Sequence, residues 1–137
     1  YLRDNNIKEI TMVTRTKKKS DELTQSTGIR HITYEALSSI KDQEIIINTT
    51  PCGMYPNIDD CPVGKEIENF KYALDIIYNP AETMFLRNGR EAGLKTINGL
   101  YMLVGQAIKA QEIWNEINID YSIIDRIYDD LIKEFEV

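Results

Sequence analysis

Glycine is scarce in this chain and poorly placed for a nucleotide turn: the 137 residues contain seven, and no G-x-G-x-x-G run occurs among them. That excludes, within this chain, the glycine-rich turn on which dinucleotide folds cradle a pyrophosphate. Cysteine and histidine are rarer still. Cys52, Cys61 and His31 cannot build a four-ligand zinc site unless carboxylates join, and two cysteines make no disulfide framework, so a reducing cytoplasm fits best. No apolar run approaches the roughly 20 residues a membrane-spanning helix needs, so no membrane role is expected. Cations are outnumbered, 16 Lys and Arg against 22 Asp and Glu for a net charge of −6, which disfavours a nucleic-acid partner because phosphate neutralisation needs cations over a wide face. The chain also lacks a charged-then-apolar leader and an initiator methionine; Tyr1 to Asn6 reads as the frayed end of a helix, and the chain is expected to be truncated there.

A hydrophobic content of 42% excludes wholesale disorder, and the length suits one domain, residues 1–137. Apolar runs and turn signals alternate. Lys8 to Thr14 reads as a strand, Ser20 to Ser26 as a helix, Ile29 to Ile32 as a short strand, Tyr34 to Ile40 as a helix and Glu44 to Asn48 as a buried strand. Lys71 to Tyr78 reads as a further strand ended by Asn79-Pro80, Ala81 to Ala92 as a helix with Gly93 as its C-cap, and Leu94 to Ile97 as a last short strand. Leu100 to Ile117 is a strong helix. Tyr121 to Phe135 is amphipathic, with Ile124, Ile127, Tyr128, Leu131, Ile132 and Phe135 on one face and Asp125, Asp129, Asp130 and Lys133 on the other. The alternation predicts an α/β fold, a Rossmann-like doubly wound parallel sheet lacking its first strand and glycine-rich turn, with C-terminal helices. The missing unit is expected upstream of Tyr1. Its absence would leave a gap between the strands at Lys8 and Glu44, to be closed either directly or by an intermolecular sheet in a homodimer; the C-terminal helix offers a second self-associating surface.

Two places carry the chemistry. The stretch INTTPCGMYPN, Ile47 to Asn57, breaks from a strand into a loop of Thr, Pro and Gly, and open α/β sheets bind ligands at such carboxyl ends. The segment TRTKKK, Thr14 to Lys19, follows the first strand, where a dinucleotide fold meets the adenosine ribose. An acidic residue there takes the 2′-hydroxyl, whereas an arginine accommodates a 2′-phosphate. Here Arg15 offers a planar fork, and Lys17, Lys18 and Lys19 add charge at the start of the next helix, which points to NADP rather than NAD. The competing reading is a solvated basic turn.

Three segments in this order resemble the shikimate dehydrogenase family. T-R-T at Thr14 to Thr16 with Lys19 stands where that family has N-R-T and a second cation, so Thr14 replaces an asparagine. N-T-T-P-C-G-M-Y-P at Asn48 to Pro56 is similar to its N-x-T-P-x-G-M loop. D-x-x-Y-x-P-x-x-T at Asp75 to Thr83 and N-G-L-x-M-L-V-x-Q-A at Asn98 to Ala107 form the third, with Gly89 where the family usually has alanine.

The resemblance implies an NADP-dependent reduction of 3-dehydroshikimate to shikimate in aromatic amino acid (chorismate) biosynthesis. It also implies that Thr14, Arg15, Thr16, Lys17, Lys18 and Lys19 line the 2′-phosphate, that Ile76 and Gly99 lie near the nicotinamide end and that Met102 packs on the cofactor. Tyr78, through its hydroxyl, and Gln106, through its amide, would reach shikimate or 3-dehydroshikimate. The family's lysine and aspartate for proton transfer belong to an N-terminal substrate domain, so no catalytic residue is expected here and the chain alone is expected to be inactive. Packing remains the competing reading for Tyr78 and Gln106, and a plain turn for Gly99; Cys52 is read as a packing residue rather than a nucleophile, and His31 as a core or surface residue rather than a catalytic one. Two further functions stay open: a quinate/shikimate dehydrogenase using NAD, which the absence of an acid at Thr14 and Thr16 disfavours, and a non-catalytic nucleotide-binding or interaction module.

Overall fold

The computed structural model describes residues 2–5, 7–41 and 43–135, with the side chains of Arg3 and Phe135 outside the description. The expectations for Tyr1, Asn6 and the Phe135 side chain therefore lie outside the described residues. The chain divides into two compact units, Tyr1–Glu44 and Ile45–Val137.

The first unit is one βαβ element. Strand β1 (Thr11–Thr14) runs into helix α1 (Lys17–Thr27) and returns as β2 (Arg30–Thr33), parallel to β1 with Thr11 opposite Arg30 and Thr14 opposite Thr33. Helix α1 is longer than the pattern suggested and ends at Gly28, whose φ of 68° lets its N–H close on the Thr24 carbonyl. Because β2 begins only at Arg30, Lys8 to Ile10 have no strand of this pair beside them, and the expected strand from Lys8 shortens to four residues. The expected helix at Tyr34 to Ile40 is a 3₁₀ helix, Tyr34–Ser39, which buries Leu37.

The second unit carries a parallel sheet of β3 (Ile45–Asn48), β4 (Tyr72–Asp75) and β5 (Lys95–Ile97), in that order. Helix α2 (Met84–Glu91) connects β4 to β5 and packs on one face; a Cβ added to Gly89 would stand 3.2 Å from that of Ala73. Helix α2 is shorter than the expected Ala81 to Ala92 because Thr83 caps it, its hydroxyl accepting from the Leu86 N–H at 3.3 Å, while Gly93 follows the last turn with φ 86°. The strand expected from Lys71 to Tyr78 stops at Asp75, whose carboxylate takes the Ile77 N–H out of the ladder.

Helices α3 (Leu100–Asn115) and α4 (Ser122–Phe135) pack together, with the Tyr101 and Tyr128 rings edge to face at 5.6 Å. Helix α3 stops short of Ile117 because Glu116 turns left-handed, φ 52°. The apolar stripe of α4 is half-buried from Ile123 to Ile132.

Among the described residues β1-β2 and β3-β4-β5 are two parallel sheets, one in each unit. One expectation is corrected: β3 is not buried. It is an edge strand, and because α2 covers one face only, Ile45 and Ile47 on the other are 49% and 38% exposed. No described helix is long and apolar enough to cross a membrane.

Candidate functional site

In the first unit the end of β1 turns through Arg15 and Thr16 into α1. Thr16 is the N-cap in extended backbone, and its side chain makes no capping hydrogen bond to the first turn. Beside this turn lies a cavity of about 490 Å³ with Arg15, Lys17 and the buried Ser20 on its wall. Asp21 and Glu35 line it as well; the Thr33 hydroxyl and the Glu35 amide hold the Glu35 carboxyl below its ordinary range. Of the residues read as phosphate contacts, Arg15 and Lys17 come together on this wall, whereas Lys18 and Lys19 stand exposed on α1 and are not among its lining. The Thr14 hydroxyl lies 3.3 Å from the Ile32 carbonyl and 3.4 Å from that of Thr16, sharing its one proton between them. His31, 8% exposed, also borders the cavity; its Nδ1 lies 2.8 Å from the Ile29 carbonyl, an acceptor only, so Nδ1 carries the proton.

In the second unit β3 and β4 end in register on two buried polar residues, Asn48 opposite Asp75. The Asn48 amide donates to Asp75 Oδ1 at 3.1 Å and to the Cys52 carbonyl at 3.2 Å, and its oxygen accepts from the N–H and hydroxyl of Thr50 at 3.0 and 2.7 Å. The loop expected to be a site is therefore folded back on its own strand. Gly53 sits in it with φ 96°, and an added Cβ would lie 3.1 Å from the Asp60 carbonyl and 3.4 Å from Thr83.

Ile76 and Gly99 meet directly. The Gly99 N–H donates to the Ile77 carbonyl at 2.9 Å, and the Ile76 carbonyl oxygen occupies the position a Gly99 side chain would take. The missing side chain is thus accounted for by backbone packed against backbone. From Gly99, α3 carries Met102 and Gln106 one turn apart on one face, both exposed. Tyr78 follows Ile76 and is 43% exposed. Neither the Tyr78 hydroxyl nor the Gln106 amide has a hydrogen-bond partner among the described residues, so both polar tips are available.

Sequence reasoning missed Asp75 and Asn48 as a pair. The available signal was a polar residue closing each of two apolar strands, IIIN and YALD. No cluster of His, Cys, Asp or Glu among the described residues could hold a metal ion.

No family model matches the chain. It is 47% identical over 136 residues to a shikimate dehydrogenase (NADP(+)) of Clostridium perfringens, an alignment covering 98% of this chain and 50% of that protein. The chorismate mutase/shikimate 5-dehydrogenase fusion protein of Clostridium acetobutylicum superposes with a TM-score of 0.90 at 46% identity, over 100% of this chain and 50% of that one. A shikimate dehydrogenase solved with NADP+ superposes with a TM-score of 0.67 at 32% identity, over 90% of this chain and 47% of that one. The chain spans about half the length of the curated relatives it matches. Over nearly its whole length, then, the chain is homologous to shikimate dehydrogenases, in sequence and in Rossmann-like fold.

Proposed function

We propose that the chain is the C-terminal, NADP-binding part of a shikimate dehydrogenase that reduces 3-dehydroshikimate to shikimate on the route to chorismate and the aromatic amino acids, in the cytoplasm. The observation that carries this reading is the Arg15 and Lys17 wall beside the uncapped start of α1. A planar fork, an ammonium and first-turn helix N–H groups are the donor set a phosphate monoester needs, so the residues present fit the 2′-phosphate. In this reading Arg15, Lys17 and the first-turn amides take the adenosine 2′-phosphate, and Ile76, Gly99 and Met102 are the residues the family resemblance assigns to the nicotinamide end. Bound NADPH supplies the hydride. Tyr78 donates from its hydroxyl to a ring oxygen of the substrate, and Gln106 both donates and accepts, which suits a polyhydroxylated ring. The proton-transfer pair implied by the family motif is not assigned to any residue here, so turnover from this chain alone is not expected.

A second reading, an NAD-using quinate/shikimate dehydrogenase, draws on Asp21 and Glu35 in the same cavity, since a carboxylate there can accept from a 2′-hydroxyl. Calorimetric titration with NADP+ and NAD+ separates the two. NADP+ is expected to bind tighter by roughly tenfold or more, with Arg15→Ala removing most of the difference. Equal affinities, or a preference for NAD+, would overturn the NADP reading, and binding of neither would leave an interaction module.

A further inference from the structure

Asp75 is the last residue of β4 and only 3% exposed. Its Oδ1 accepts from the Asn48 amide and from the Ile77 N–H, both at 3.1 Å, and its Oδ2 accepts from the Thr83 hydroxyl at 2.7 Å. These donors come from separate segments: the end of β3, where the Thr50 to Met54 loop begins, the Ile76 to Tyr78 turn, and the N-cap of α2. Each segment continues outward. Asn48 holds the loop through Thr50 and the Cys52 carbonyl, Ile77 receives the Gly99 N–H on its carbonyl, and the Thr83 hydroxyl also caps α2 at Leu86.

We infer that Asp75 is a positioning residue for the nicotinamide end of the cofactor: it touches no ligand, and it fixes the Thr50 to Met54 loop, the Ile76 turn and the start of α3 against one another. The inference rests on the NADP reading above. A carboxylate suits this task because all three partners are donors, and only a side chain with two acceptor oxygens takes them all at once. Such a buried group has one well-satisfied arrangement, so the segments it joins lose their freedom to slide.

The test compares NADP+ with 2′,5′-ADP, which has the phosphate end and no nicotinamide, by calorimetry on the full chain. Wild type is expected to bind NADP+ tighter than 2′,5′-ADP. Asp75→Ala should lose that advantage, roughly tenfold in affinity for NADP+, with 2′,5′-ADP unchanged. Asp75→Asn keeps an oxygen for Asn48 and Ile77 and should restore most of the loss. Should Asp75→Ala fail to fold, Asn48→Ala decides the matter, since it frees the loop and leaves the Ile77 and Thr83 bonds in place; NADP+ should again weaken alone. The inference is overturned if the deciding variant weakens both ligands equally or neither, or if wild type binds the two ligands alike. If wild type binds neither, it is the NADP reading that has failed, and the inference goes with it.

Discussion

Among the glycines of the second unit, Gly99 bears the tightest constraint. An added Cβ would stand 2.0 Å from the Ile76 carbonyl oxygen and 2.4 Å from its carbon, and both belong to backbone that cannot swing aside. Gly99→Ala is expected to destabilise the protein by about 3 kcal/mol, the upper part of the overpacking range, measured as a fall in the denaturant midpoint. Gly105, whose Cβ would meet nothing within 4 Å, supplies the control in the same helix, where alanine should be neutral or stabilising. At this scale, placement was legible where it is local: that Arg15 and Lys17 stand where a strand breaks into a helix could be read, because the punctuation is in the neighbouring residues. The Thr14 hydroxyl contact could not be read, since its carbonyl lies on β2, 18 residues away. The reason for Gly99 was invisible too, since it depends on the turn after β4 arriving beneath it.

At the scale of elements, the junction between α3 and α4 hangs on one carboxylate. Glu112, buried near the end of α3, accepts from the Ile119 N–H and the Lys109 ammonium, both at 2.9 Å, and from the Tyr121 hydroxyl at 3.1 Å. The Ile119 N–H first, and then Lys109 and Tyr121, hold its carboxyl below the ordinary range, with burial opposing them. A depressed folded value means that its contribution to stability is fully present above the ordinary glutamate value of about 4.3 and is lost as the pH falls through the lower folded one. Acidification through that window should lower the protection of the Ile119 amide relative to an unfolded amide at the same pH, followed by NMR, and Glu112→Gln should flatten the dependence. The elements were read well in kind and less well in extent. Ile76, Ile77 and Tyr78 continue the apolar run of KYALD and so mimic a strand, but Asp75 captures the Ile77 amide and ends the ladder. The stretch Tyr34 to Ser39 has helical spacing over too few residues to say which helix it forms.

For the whole molecule, the division into two units predicts unequal local stability. Among the described residues the first unit fully buries the apolar side chains of Leu37 and Ile40, whereas the second buries Phe70, Phe85, Leu86 and Leu100 with several more. Hydrogen exchange should therefore be faster, by roughly tenfold or more, at Met12 and Val13 of β1 than at Ala73 and Leu74 of β4. Similar rates would mean that the two units open together. The exposure of β3 was less legible in the sequence, because an apolar run reports a strand and says nothing of which of its faces a helix covers. The three-stranded sheet, finally, shows solvent a face bearing Ile45, Ile47, Tyr72 and Ile97, each between 38% and 50% exposed. That face governs how the protein behaves in the tube. Sulfate and phosphate strengthen apolar contact, so the chain should salt out early, and dilute, low-salt, mildly alkaline buffer, in which its net negative charge keeps molecules apart, is the condition in which to handle it.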